Sequence, residues 1–305
     1  MNNPLVSIII PTYGGNSSLK RALISVLNQE YPNIEIIVVD DNNPDSRARR
    51  DTEKIISQFL HQPNLIYIQH EKNKNGSAAR NTGVRNSSGE YISFLDDDDV
   101  FLPLKVSKQV TYLESHKEFQ AVYCWRYEGE RIIRSDLTGN LSESLLDLTF
   151  TPCTPSIMIR RICYETLNGF DESYIRHQDF EFLLRFFKQF EMGVVKEPLI
   201  RIIGNGVDNQ PKGEKAIEVK KKFMDAFQNE IAEIDSRRRG FKKRVYANHY
   251  SGLMIKLLRY GNIKLAIKMY FTDGYKGGML FWKQTGAAII KICEKKINRQ
   301  KGRNQ

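Results

Sequence analysis

Four aspartates in succession, Asp96, Asp97, Asp98 and Asp99, follow the run Tyr91-Ile92-Ser93-Phe94-Leu95. Carboxylates crowded at the mouth of a buried strand repel one another, so without a cation one or more must take up a proton or the segment is destabilised. In an extended segment Asp96 and Asp98 project to the same side. That arrangement suits a hard divalent ion with oxygen ligands, manganese or magnesium, with phosphate oxygens completing the octahedral shell. The competing use is a solvated acidic turn that caps the helix after Pro103. Other polar groups also follow apolar runs: Pro11-Thr12-Tyr13 after Val6–Ile10, and Asp40-Asp41 after Ile34–Val39. Asn75-Gly76-Ser77 and Ala79-Arg80-Asn81 come a loop after Leu65–Ile68. Asp179 stands at the head of an apolar-periodic segment, where it can cap a helix over 180–190.

The elements that must hold these residues are legible as an alternation. Val6–Ile10 is a continuous run of mostly β-branched residues, as expected of a strand buried on both faces. Ser17-Ser18 offers a cap to a helix whose face is Leu19, Ala22, Leu23, Val26 and Leu27. Strands follow at 34–39, 65–68 and 91–95, with helices over 46–60 and 76–84 between them. Such alternation implies a parallel sheet with right-handed crossovers, in which ligands bind outside the carboxyl ends of the strands. A helix over 104–113 precedes antiparallel strands at 121–127 and 131–134, another at 156–159, and a helix over 179–190. From residue 214 the pattern is almost wholly helical, broken at Gly240, Gly261 and 274–278. No fixed-period repeat is present.

The chain has 305 residues, room for one large domain with an appendage or for two modest domains. Its apolar and charged fractions are those of a folded globular protein. The sequence offers no hydrophobic leader and no run of about 18 apolar residues for a membrane span. Cys124, Cys153, Cys163 and Cys293 show no paired spacing and read as reduced thiols. The net charge of +10 is unevenly placed: from Phe241 onward fifteen Lys and Arg face only Asp273 and Glu294.

Taken together, Val6-Ser7-Ile8-Ile9-Ile10-Pro11-Thr12-Tyr13, Ile36-Ile37-Val38-Val39-Asp40-Asp41, Ala79-Arg80-Asn81-Thr82-Gly83 and Gly89-Glu90 leading into Tyr91–Asp99 resemble the family 2 glycosyltransferases in order and spacing. Gly169-Phe170-Asp171-Glu172 followed by Arg176-His177-Gln178-Asp179 resembles that family's second-half signature and extends the likeness to about residue 200. The resemblance implies a GT-A-like α/β fold, a Rossmann-like, mostly parallel sheet flanked by helices, over residues 1–215, followed by a basic helical region over 216–305. It implies that Pro11, Thr12 and Tyr13 line a nucleoside pocket. Asp40 would accept a hydrogen bond from the base, with Asp41 beside it, and Arg80 would reach the base or the diphosphate. Asp96 and Asp98 would form the DxD-type metal motif for Mn2+ or Mg2+, with Asp97 beside them on the nucleotide. Asp179 matches the family's catalytic base. His177 is either a structural hydrogen-bonder or a contact to metal or diphosphate. Gln178 departs from the Glu that many relatives carry, and Gly14 from the usual Asn.

The activity so implied is metal-dependent, inverting transfer of one sugar from a nucleotide sugar, a UDP-sugar, to an acceptor hydroxyl. The acceptor expected is a glycan or lipid-linked oligosaccharide in polysaccharide or O-antigen biosynthesis. The processive QxxRW-type motif is missing, which favours a single addition. The alternative is a non-catalytic relative that binds a sugar nucleotide or a partner. A nucleotidyltransferase lacks its glycine- and lysine-rich loop here, and a nicotinamide dehydrogenase its GxGxxG. Nucleic acid is not expected as a partner, since no binding signature accompanies the basic tail. That tail, with apolar residues interleaved, is expected to meet an anionic membrane surface, placing the protein in the cytoplasm on the inner face of the cell membrane.

Overall fold

A computed structural model of the chain describes residues 3–15, 17–204 and 211–301, with side chains described through residue 290. Lys291, Cys293, Lys295, Lys296, Arg299, Lys301 and Arg303 therefore lie outside the described side chains. Two compact units emerge, Met1–Ser142 with Phe150–Val207, and Glu143–Thr149 with Asp208–Gln305. The second begins ahead of the 215/216 boundary read from sequence and takes in a short internal segment.

The first unit is built on one sheet. Strands β1 (Val6–Thr12), β2 (Ile34–Asp40), β3 (Leu65–Gln69) and β4 (Tyr91–Phe94) run parallel in the order β3-β2-β1-β4. Val6 through Ile10 are fully buried, which is why this stretch carries no apolar–polar alternation. The register pairs Thr12 with Asp40 and Asp40 with Gln69, so the polar strand ends gather at one edge. Helices α1 (Leu19–Leu27), α2 (Arg47–Ile56) and α3 (Gly76–Arg85) make the crossovers. Ser46 caps α2 by accepting from the Arg49 N–H at 3.1 Å. That helix ends at Ile56, short of the expected Leu60.

The remainder of the sheet is mixed: β5 (Val100–Phe101), β6 (Ala121–Glu128), β7 (Arg131–Ile133), β8 (Ile157–Arg160) and β9 (Met192–Ile202). Here β8 lies antiparallel between β4 and β6, while β6 pairs parallel with β9. Helices α4 (Lys105–Ser115), α5 (Ser142–Leu146), α6 (Arg161–Thr166) and α7 (Gln178–Phe186) connect these strands. Strand β9 has no counterpart among the expected elements. Lys196-Glu197-Pro198 interrupts its apolar run, and the interruption falls where the β6 register shifts on either side of Trp125, opposite Pro198. A proline, which cannot donate to the ladder, is tolerated at such an irregularity. The expected helix over 179–190 starts one residue earlier and stops at Phe186. His177 is its N-cap at φ 59, so Asp179 sits in the first turn and does not cap it.

In the second unit α8 (Gly213–Ala226), α9 (Gln228–Arg237), α10 (Phe241–Arg259), α11 (Ile263–Thr272) and α12 (Gly278–Lys301) bury Phe223, Ile231, Phe241, Val245, Tyr250, Leu257 and Phe281. Gly240 and Gly278 open α10 and α12 with positive φ, a conformation glycine reaches without strain. Within this unit the 143–149 segment is bound by side chains. The Asp147 carboxylate accepts from Arg244 Nε at 2.8 Å, and the Leu146 carbonyl from His249 Nε2 at 2.8 Å. His249 Nδ1 in turn lies 2.9 Å from Lys220 Nζ, and burial lowers the Lys220 pKa to about 8.

Helix α3 lies hard against the sheet. A Cβ at Gly83 would stand 2.3 Å from Ile9 Cγ2 and 3.3 Å from Val39 Cγ2. In an open helix Gly→Ala stabilises by about 1 kcal/mol, but overpacking at this contact costs roughly 1–3 kcal/mol. Gly83→Ala is therefore expected to lower the urea midpoint. An unchanged or higher midpoint would show that α3 has slack against β1.

Candidate active site

At the end of β1, Pro11 is half-buried, Thr12 buried and Tyr13 58% exposed. The Thr12 hydroxyl donates to Asp97 Oδ2 at 2.6 Å, and the Tyr13 N–H also donates to that carboxylate. Ser18, expected to cap α1, instead donates its hydroxyl to the Asp97 carbonyl at 2.7 Å, and Arg21 Nη2 donates to the Asp98 carbonyl at 2.8 Å. The aspartate run is not extended. The Asp99 N–H donates to the Asp96 carbonyl at 3.1 Å and closes a turn, so this turn and not strand alternation orients the carboxylates. Asp97 points to Thr12, and Asp99 accepts from the Ile203 N–H at 2.9 Å. Burial, reinforced by the neighbouring Asp96 and Asp98 charges, pushes both Asp97 and Asp99 up to about 7.

Asp40 and Asp41 face inward. Asp40, fully buried, accepts from the Asn42 N–H and Nδ2 and from the Tyr67 hydroxyl at 2.6 Å, and the Arg49 Nε lies 3.0 Å from its Oδ2. Asp41 accepts from His70 Nδ1 at 2.7 Å, Asn73 Nδ2 at 2.8 Å, and the Lys74 and Asn75 N–H groups at 2.8 and 2.9 Å. A carboxylate has about four lone-pair positions. In this structure both carboxylates are hydrogen-bonded within the protein. These two residues shape the wall: Asp41 folds the loop leading to Asn75, whose side chain caps α3 at Ser77 and Ala78. Sequence reading missed Asn42, Tyr67, Arg49 and His70. Asn42 Oδ1 also accepts from the Gly14 N–H at 2.8 Å, tying the two loops together.

Arg80 connects the two halves of the site. Its Nη2 donates to Asp96 Oδ1 at 2.6 Å and its Nη1 to Gln178 Oε1 at 2.9 Å, while its buried Nε has no hydrogen-bond partner. The next residue after Gln178 is Asp179, which borders a small apolar cavity of about 20 Å³ with Phe94, Ile157, Phe170 and Phe182. Desolvation there raises the Asp179 pKa, and the Asp96 charge adds to this; the Phe180 N–H and Arg80 oppose it. The His177 ring packs edge-on to Phe180 at 5.9 Å.

The donor set fits a divalent cation in one respect and needs help in another. Asp97 and Asp99 are held high by burial and by neighbouring like charge, the condition a cation relieves. Yet among the described residues no cluster of three or more His, Cys, Asp or Glu could hold a metal alone. Two carboxylates with substrate phosphate oxygens make the shell magnesium-type ions commonly adopt.

The model of the family described as Glycosyl transferase family 2 matches residues 7–167. An uncharacterized glycosyltransferase of Methanocaldococcus jannaschii is 28% identical over 66% of this chain and 71% of its own length. One of Rickettsia prowazekii is 31% identical over 65% of this chain, which spans just under two thirds (64%) of that relative. The crystal structure of S. aureus TarS 1-349 in complex with UDP-GlcNAc superposes with a TM-score of 0.62 at 16% identity, over 94% of this chain and 92% of that one. The mannosyltransferase PcManGT from Pyrobaculum calidifontis, in complex with GDP-Man and Mn2+, gives a TM-score of 0.54 at 14% identity, over 96% and 76%. These likenesses establish the GT-A arrangement of the sheet.

A titration test follows from the raised carboxylates. Both Asp97 and Asp99 move from 3.8 unfolded to about 7 folded, so across that window the folded state binds more protons than the unfolded one. Stability must then fall as pH rises through the window. In EDTA the thermal midpoint is expected to drop between pH 5 and pH 7.5, and Asp97→Asn with Asp99→Asn to flatten the drop. An identical slope in wild type and variant would refute the burial of these groups.

Proposed function

This chain belongs to glycosyl transferase family 2 and is a transferase, and on that premise we propose that it moves a single sugar, with inversion, from a nucleotide diphosphate donor to an acceptor hydroxyl. The observation that carries this reading is a desolvated carboxylate, Asp179, placed one residue from the Arg80–Gln178 contact and linked through Arg80 to Asp96. Inverting transfer needs one carboxylate to take the acceptor proton as that oxygen attacks the anomeric carbon, while the bond from that carbon to the diphosphate breaks on the opposite face. A carboxylate whose pKa is raised by burial is a stronger base than an exposed one. Arg80 brings a cation to the diphosphate side. A divalent ion held by Asp96 and Asp98 would supply further positive charge to the departing diphosphate.

Pro11, Thr12, Tyr13 and Asp97 are assigned to the nucleotide, with Asp40 and Asp41 acting through the loops they hold. The catalytic domain is read as residues 1–215. A UDP-sugar is the donor proposed, supported by the family motifs and by the UDP-GlcNAc bound to TarS, while the GDP-Man bound to PcManGT supports a nucleotide diphosphate sugar in general. The acceptor proposed is a glycan or lipid-linked oligosaccharide of polysaccharide or O-antigen biosynthesis. Residues 216–305 then meet the inner membrane surface where a lipid-linked acceptor resides.

Two substitutions test the assignments. Asp179→Asn keeps the shape and loses the proton acceptor, so donor binding should survive while transfer falls by about 10²–10⁴; near-normal transfer would remove Asp179 as the base. Asp98→Asn, like EDTA on the wild type, is expected to abolish nucleotide release from a panel of donors assayed with Mn2+. Full turnover in EDTA would end the metal assignment.

A further inference from the structure

The second unit carries an apolar surface that its own packing leaves uncovered. On α11, Ile263, Ile267 and Phe271 recur every four residues and are 58%, 53% and 72% exposed, while Ala266 and Met269 are buried. On α12, Met279 is 91% exposed and Trp282 51%, with Ile289 and Ile290 following at helical spacing. One aromatic cluster joins the two helices: the Tyr270 ring lies 4.8 Å from that of Trp282, and Trp282 Nε1 donates to the Tyr270 hydroxyl at 3.0 Å. Contiguous exposed apolar patches on this scale mark interaction surfaces.

The charges around it select the partner. Lys264, Lys268 and Lys283 are exposed beside these apolar residues. Between 241 and 290 the single acidic residue is Asp273, which is buried and accepts from Lys276 Nζ at 2.8 Å. Helices α11 and α12 themselves therefore bring exposed lysines and no exposed carboxylate between 263 and 290, although Glu214 and Glu218 are exposed on α8, and the sequence beyond adds Lys291, Lys295, Lys296, Arg299, Lys301 and Arg303. Among the described residues no helix is long and apolar enough to cross a membrane. An apolar aromatic face flanked by lysines, on helices that do not span, matches helices that lie in the headgroup region of an anionic bilayer.

We propose that the face formed by α11 and the first turns of α12 docks on an anionic lipid surface. Phe271, Met279 and Trp282 enter the headgroup–acyl boundary, and Lys264, Lys268 and Lys283 meet lipid phosphates. This deepens the reading given under Proposed function by naming the surface that meets the membrane. Docking is measured without turnover, so its failure and the failure of the transferase reading are separable.

The full-length chain is to be sedimented with vesicles of mixed phosphatidylglycerol and phosphatidylcholine and with pure phosphatidylcholine, at low and high salt. Wild type should bind the mixed vesicles at low salt and weaken as salt screens the lysines. The triple variant Phe271→Ser, Met279→Ser, Trp282→Ser should lose about tenfold or more. Each Lys→Gln at 264, 268 or 283 should cost about fivefold. In a Trp125→Phe background Trp282 is the sole tryptophan, and its emission should shift to the blue on mixed vesicles and be quenched by brominated acyl chains. Circular dichroism establishes that each variant is folded. Absence of binding to mixed vesicles, or equal binding by wild type and the folded triple variant, would overturn the proposal. So would self-association in light scattering that the triple variant abolishes, which would assign the face to a second copy of the chain.

Discussion

Carboxylates gathered at the carboxyl edge of four parallel strands must each find a positive partner, a set of donors or a proton, and much of the first unit answers that demand. The register that sets Thr12 beside Asp40, and β4 one strand away, also brings Asp96–Asp99 to the same edge. Asp40 and Asp41 are answered by Asn42, Tyr67, Arg49, His70 and the 73–75 loop. Arg49 does more than neutralise: its Nη2 also donates to the Asn42 and His70 carbonyls at 2.5 and 2.7 Å. Arg49 Nε lies 3.0 Å from Asp40 Oδ2 without making a hydrogen bond, and removing either member of this buried charge pair would strand the other. At Asp97 the demand is met in part by the Thr12 hydroxyl and the Tyr13 N–H, at Asp99 by the Ile203 N–H, and at Asp96 by Arg80, while burial raises the proton affinity of Asp97 and Asp99.

The same logic explains why motifs some 90 residues apart belong to one site. Gly83 lets α3 settle onto β1, and α3 then presents Arg80 and Asn81 together. Asn81 Oδ1 accepts from the Tyr164 hydroxyl at 2.6 Å and the Phe170 N–H at 2.9 Å, while its Nδ2 donates to the Phe170 carbonyl and to Glu172, each at 2.9 Å. The block Gly169–Glu172 is thereby fastened to α3. Arg185, on α7, donates to the Leu167 and Gly169 carbonyls and pairs with Glu181, anchoring the helix that carries Asp179. Asp179 thus stands where two neighbouring residues, Arg80 and Asn81, indirectly place it.

How much of this was legible in the sequence depended on how local its cause was. The four parallel strands showed because strands buried on both faces need unbroken apolar runs, and their polar ends showed as the breaks. Strand β9 stayed hidden because its middle, Lys196-Glu197-Pro198, is shaped by an irregular pairing with β6 that no local pattern encodes. The turn at Asp96–Asp99 was read as extended because alternation is the default after a strand, whereas the Asp99-to-Asp96 hydrogen bond decides the matter. Asp40 and Asp41 were legible as polar strand ends, but their bonding within the protein rests on Tyr67, His70 and Asn73, well over twenty residues away in sequence. The apolar face of α11 and α12 was legible as composition, but its joining through Tyr270 and Trp282 required coordinates.

The Arg80 bridge makes the proton affinity of Asp179 depend on the state of the donor side. Gln178 is neutral, so Asp96 is the carboxylate that Arg80 pairs with in this structure. Asp179 feels both members of that pair with opposite sign, Arg80 lowering its pKa and Asp96 raising it. Neutralising Asp96 with a cation weakens the second influence, and drawing Arg80 towards a diphosphate weakens the first while adding negative charge nearby. The two changes oppose one another at Asp179. A carboxylate at position 178 would have given Arg80 a second anionic partner; with glutamine there, Asp96 is its ion-pair partner in this structure, and on the proposed reading the arginine that meets the donor also tunes Asp179.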